Sequence, residues 1–117
     1  MRLNEIRNFD GPPIDGYGPG FFRVGGTVWQ GGVFVTPSGV QGWTGFDATA
    51  PLVEAAGDID VLFIGTGADP EYLPTAFRTA LEAAGLGLEP MASPPAARTY
   101  NVLLSEGRRV GVALLPV

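Results

Sequence analysis

The run Val61-Leu62-Phe63-Ile64, between Asp60 and Gly65, constrains the fold more than any other stretch. A strand with no polar side chain has no face to turn to water, so it must be covered on both sides. We expect a buried strand over 60–64, and the chain around it supplies the cover. Ala50–Gly57 reads as a short helix, with Thr49 as N-cap, Pro51 in its first turn and Gly57 past its end. Glu71–Ala84 reads as a second helix, because Leu73, Phe77, Leu81 and Ala84 recur at helical spacing and Gly85 follows. Leu86–Glu89 reads as a strand and Pro95–Ser105 as a third helix. Val110–Leu115 is the last strand. This alternation predicts a mixed, mainly parallel sheet with right-handed crossovers and helices on its faces.

The chain before residue 47 has a different texture. Most of the 18 glycines lie there, between short runs rich in Val, Phe and Trp. Phe21–Val24, Thr27–Trp29, Val33–Thr36 and Val40–Trp43 read as short antiparallel strands joined by Gly25-Gly26, Gly31-Gly32 and Pro37-Ser38-Gly39. They must extend the parallel sheet or stack beside it. The whole, residues 1–117, is expected to be a three-layer α/β single domain, since one core serves ~100–200 residues.

The inventory of side chains restricts the chemistry. There is no His and no Cys, and all seven basic residues are Arg. Ser–His–Asp and Cys–His catalysis lack their proton acceptor, and Schiff-base or P-loop lysines are absent. Zinc and haem sites lack thiolate and imidazole ligands. We expect no cofactor and no metal. The net charge of −5 and the scattered arginines argue against a nucleic-acid surface. No apolar run reaches the ~18 residues of a membrane span, and no signal peptide is visible, so the expected location is the cytoplasm.

Several constellations are candidates for function. Gly65-Thr66-Gly67 follows the buried strand and precedes a helix, where α/β sheets bind ligands and backbone N–H groups hold anions. It is not a dinucleotide fingerprint: Pro70 interrupts the pattern, and Asp69 and Glu71 repel phosphate. The segment Met91–Asn101 also follows a strand and opens a helix. On that helix Arg98, Asn101 and Ser105 share one face, while Ala97, Tyr100 and Leu104 share another. If both strands are parallel, Gly65, Thr66, Gly67, Ser93, Arg98 and Asn101 meet at one sheet edge and suit a carboxylate or phosphate. Plain structural roles compete with this reading: a tight turn for the glycines, a helix cap for Ser93 and a solvated face for Arg98. Tyr17–Phe22 reads as a rigid loop with packed aromatics. The pairs Asp58/Asp60 and Asp69/Glu71 read as surface acids. Glu106-Gly107-Arg108-Arg109 reads as the turn into the last strand.

The order of Tyr17-Gly18-Pro19-Gly20-Phe21, Val35-Thr36-Pro37, Trp43, Leu62–Gly67, Glu89-Pro90-Met91, Arg98-Thr99-Tyr100-Asn101 and Glu106–Val110 resembles a family of small domains of unknown function from bacteria and archaea. Its eukaryotic members include mitochondrial complex I assembly factor 3 and the adipogenesis-associated domain protein. The resemblance runs from about Ile14 to Leu115, with Ser93 where the family more often has Thr. It implies a central mixed sheet with an added N-terminal antiparallel β layer and no established enzyme activity. For the mitochondrial member it implies assembly of a membrane-bound respiratory complex through protein contacts. The leading expectation is therefore a non-enzymatic binding or assembly protein with protein partners. The alternatives are a binder or minor enzyme taking an anionic small molecule at the sheet edge, and a scaffold without ligand.

Overall fold

The computed structural model describes residues 11–117. Eight strands and three helices follow one another as β1 (Ile14–Gly18), β2 (Phe21–Val24), β3 (Thr27–Gln30), β4 (Gly32–Thr36), β5 (Gly39–Trp43), α1 (Ala50–Glu54), β6 (Val61–Gly65), α2 (Thr75–Ala83), β7 (Gly87–Met91), α3 (Ser93–Ser105) and β8 (Val110–Leu114). The strands form a three-stranded sheet, β1-β2-β3, and a five-stranded sheet, β5-β4-β8-β6-β7. In the larger sheet β6 runs parallel to both β7 and β8, while β4 is antiparallel to β5 and β8. The sheet is thus mixed, with its parallel half around β6.

The three layers follow from the alternation of side chains along the central strands. Val33, Val35, Phe63, Val110, Val112 and Leu114 face one way and pack with Ala96, Ala97, Tyr100 and Leu104 of α3 and with Ile14, Phe22 and Val24 of the small sheet. Phe34, Leu62, Ile64 and Ala113 face the other way, onto Leu52 of α1 and Phe77 and Leu81 of α2. The path from β6 to β7 crosses the sheet in one direction, and the path from β7 back to β8 crosses it in the other. Two right-handed crossovers of opposite direction must put their helices on opposite faces, and α2 and α3 do lie on opposite faces.

The early strands do not form one continuous ribbon. Gly31-Gly32 carries the chain from the small sheet into the large one. A Cβ on Gly32 would sit 2.4 Å from the Trp43 carbonyl oxygen and 2.7 Å from that of Leu114, so only glycine passes there. Most of the loop expected over Tyr17–Phe22 is strand: β1 ends at Gly18, β2 begins at Phe21, and the turn proper is only Pro19-Gly20, with Gly20 at φ 78°. Asp15, Gly16 and Gly18 give β1 little intrinsic strand preference, and pairing with β2 imposes it.

Three helix boundaries differ from expectation. The helix expected over 71–84 starts only at Thr75, because Pro74 is extended (ψ 139°) and disfavours helix in the residue before it. α1 is shorter than 50–57, ending at Glu54. α3 starts at Ser93, two residues early, since prolines are tolerated in a first helical turn. β7 runs on to Met91 through Pro90, which an edge strand accommodates because one side of its backbone needs no donor.

Candidate functional site

Because β6 and β7 are parallel neighbours, the loops that leave them lie at the same edge and then turn to opposite faces. That is the topological switch point where open α/β sheets place ligands. The Gly65–Gly67 loop and the start of α3 do meet there. The Gly67 N–H donates to Ser93 Oγ at 3.0 Å, and the Ser93 N–H donates to the Gly67 carbonyl at 2.8 Å. Ser93 Oγ in turn donates to the Leu115 carbonyl at 2.6 Å. Ser93 is fully buried. Its hydroxyl does not cap α3, as a helix-start serine usually would; it ties the ends of β6 and β8 to the start of α3.

The glycines admit this contact. A Cβ on Gly65 would lie 2.5 Å from Ser93 Oγ and 2.6 Å from Leu114 Cδ2, and Gly67 adopts φ 102°. Thr66 completes the lacing. Its N–H donates to the Met91 carbonyl at 2.9 Å, and its hydroxyl donates to the Asp69 carbonyl at 2.7 Å.

Arg98 and Asn101 turn to different surroundings. Arg98 is exposed on α3 in line with Val102 and Ser105. Asn101 turns to β1, where the Ile14 N–H donates to its Oδ1 and its Nδ2 donates to the Ile14 carbonyl, both at 2.8 Å. An asparagine side chain thereby supplies both hydrogen bonds a neighbouring strand would give. From the preceding position on α3, the Tyr100 hydroxyl donates to the Pro12 carbonyl at 2.9 Å. Burial pushes the Tyr100 phenol well above its ordinary pKa. Gly65, Thr66, Gly67 and Ser93 thus form one hydrogen-bonded knot, Asn101 fastens the small sheet, and Arg98 faces solvent.

A surface missed in the sequence lies at the same end of the sheet. Pro70, Glu71, Tyr72, Arg78 and Pro90 line a shallow groove of about 380 Å³. Tyr72 is 99% exposed. Its place inside an expected helix hid it, and the paired prolines at 70 and 74 were the available sign that this stretch is loop. Arg78 is engaged by Glu82 one turn along α2, at 3.3 Å. The acids Asp58 and Asp60 stay apart from this edge, and Asp60 pairs with Arg109 at 3.1 Å. Among the described residues no three acidic side chains converge on one point, and no helix is long and apolar enough to cross a membrane.

Residues 14–115, almost the whole of this architecture, match the family described as protein of unknown function (DUF498/DUF598). The chain belongs to that family. It is 55% identical over 105 residues to an uncharacterised protein of Rhodobacter capsulatus, covering 90% of the chain and 85% of that relative. It is 31% identical over 113 residues to NADH dehydrogenase (ubiquinone) 1 alpha subcomplex assembly factor 3 of Danio rerio, covering 91% of the chain and 65% of that relative. A protein from Bartonella henselae described as an outer membrane protein superposes with a TM-score of 0.83 at 35% identity, over 92% of this chain and 97% of that one. A Bordetella pertussis protein described as a Mth938-like domain superposes with a TM-score of 0.72 at 32% identity, over 90% and 85%. The fold of this DUF498/DUF598 member is therefore the Mth938-like one.

Proposed function

We propose that this protein works through protein contacts, as a cytoplasmic factor that helps membrane-bound respiratory complexes assemble. The observation that carries the reading is the similarity, over 91% of the chain, to a protein named as a complex I assembly factor. Chemistry supports it: with no His, Cys or Lys, the chain lacks the usual activators of a nucleophile. The hydroxyls of Thr66 and Ser93, the best-placed polar groups at the switch point, are already engaged within the fold. The test is a deletion strain of the source bacterium, with NADH dehydrogenase followed on native gels. Assembled complex should fall several-fold and recover on complementation. An unchanged level would set the assembly role aside.

A second reading keeps the sheet edge as a site for an anionic small molecule. The meeting of the Gly65–Gly67 loop with the N-terminus of α3 favours it. Binding would require the Gly67 N–H to exchange its bond to Ser93 for one to the ligand. A thermal-shift screen of nucleotides, phosphates and organic acids tests it, since a ligand at about a hundred times its Kd stabilises by about 2.7 kcal/mol. A flat screen would remove this reading and leave the first intact.

A further inference from the structure

Among the described residues, the small sheet ends in an edge, β3, that carries none of the usual protection. Natural edge strands are usually blunted by charge, proline, a bulge or a cover. β7, an edge of the large sheet, carries Glu89 and Pro90. β1 is held at Ile14 by Asn101 and shows a register irregularity between Ile14 and Gly16. β5 contains two glycines, Gly39 and Gly42, which weaken a strand as a template. β3 reads Thr27-Val28-Trp29-Gln30, with no charge, proline or glycine. Among the described residues it pairs with β2 alone.

Its pairing pattern fixes which groups face outward. The Gly25-Gly26 turn has φ 55° and 86°, the two positive values of a type I′ hairpin, so Val24 and Thr27 form the closing hydrogen-bonded pair. Alternation makes Phe22 and Trp29 the next such pair. The N–H and C=O groups of Thr27 and Trp29 are therefore spent on β2, and those of Val28 and Gln30 point away from the sheet. Thr27, Val28 and Gln30 are exposed, while Trp29 lies partly buried against the core.

We propose that β3 is the contact by which two copies of this chain associate, strand against antiparallel strand. The edge complements itself. The outward residues lie two apart, so an antiparallel copy can set Val28 opposite Gln30 of the second chain, and Gln30 opposite its Val28. All four outward groups of each strand are then satisfied around a two-fold axis. The axis passes at Trp29, which faces Trp29 of the second copy as a non-hydrogen-bonded pair, the closer spacing and the one that favours aromatic contact. No charge enters this edge, although each molecule carries −5. A four-residue strand buries far less than the ~1,200 Å² of a stable interface, so the association is transient.

A dilution series from about 1 mM to about 10 µM, followed by amide NMR and sedimentation velocity, tests this in the range of a weak complex. The Val28 and Gln30 amides should shift with concentration, with the sedimentation coefficient rising in step. Val28→Lys and Gln30→Lys, both at exposed positions, should remove the dependence while the spectrum stays that of the folded protein. Tyr72→Ala should leave it unchanged. A monomer at about 1 mM, or self-association that survives both lysines, overturns the proposal. So does strong exchange protection of Val28 and Gln30 in dilute protein, which would mean that the edge is closed within one chain.

Discussion

At the scale of single residues, the polar groups that look reactive in the sequence are those the fold uses to hold itself together. Ser93 shows this best. Removing its hydroxyl strands the Gly67 N–H and the Leu115 carbonyl, and each buried group left without a partner costs about 1–3 kcal/mol. Ser93→Ala should therefore lower stability by about 2–4 kcal/mol in urea titration, whereas Ser93→Thr, if the methyl finds room, should keep most of it. A loss under about 0.5 kcal/mol, the level of an ordinary surface change, would show that the knot is not structural. Tyr100 gives a pH prediction. Its folded pKa is raised by burial, so its contribution is fully present below the unfolded value of about 10 and is lost as pH climbs beyond it. The melting temperature should fall steeply above about pH 10, and Tyr100→Phe should flatten that fall. A fall of equal steepness in the variant would remove Tyr100 as the cause. The position of Gly65-Thr66-Gly67 beside Ser93 was legible from the strand-then-helix order alone. The partners of Ser93 and Asn101 were not, because residues 22 and 87 positions away leave no trace in local spacing.

At the scale of elements, legibility followed the strength of the period. β6 and β8 announced themselves as apolar runs, and the strand order puts β8 at the centre of the large sheet with β6 beside it. Phe63, 4% exposed on the α3 side, should be a main anchor. Phe63→Ala is expected to cost about 3–5 kcal/mol, and a urea midpoint shift worth under 1 kcal/mol would make the strand peripheral. β1 was hidden for the opposite reason. With Asp15, Gly16 and Gly18 it has no apolar alternation, and pairing with β2 and the Asn101 amide hold it in place. Asn101→Ala should speed hydrogen exchange across β1 while leaving β6 as slow as before, at a cost of about 1–3 kcal/mol. Unchanged exchange in β1 would mean that β2 suffices to hold it. The start of α2 reads too early in the sequence because its apolar spacing extends into a loop that also buries a leucine, Leu73, and periodicity alone does not separate a buried loop residue from a helical one.

At the scale of the molecule, the two textures of sequence pack together in both clusters, one on each face of the large sheet. The glycine-rich half has no interior of its own: Ile14, Phe22 and Val24 pack into the same cluster as α3, β6 and β8. Three short strands with no helix or second sheet against them are marginal in water, so the small sheet should not survive the loss of α3 packing. We expect one cooperative transition, as domains of this size usually show. The two tryptophans sit well to test it. Trp29 is on β3 and packs against the cluster shared by α3 and the small sheet. Trp43 is on β5 in the opposite cluster, with the rings of Phe46 and Phe77 at 5.9 and 6.1 Å. Trp29→Phe and Trp43→Phe each leave a single fluorescent reporter, one per face of the large sheet. In each variant the fluorescence melt should coincide with the melt of backbone circular dichroism recorded on the same sample. That internal comparison removes the stability cost of the substitution itself. If the Trp29 signal melted clearly before the backbone of its own variant, the small sheet would be a separately stable layer and the single-domain reading would fail.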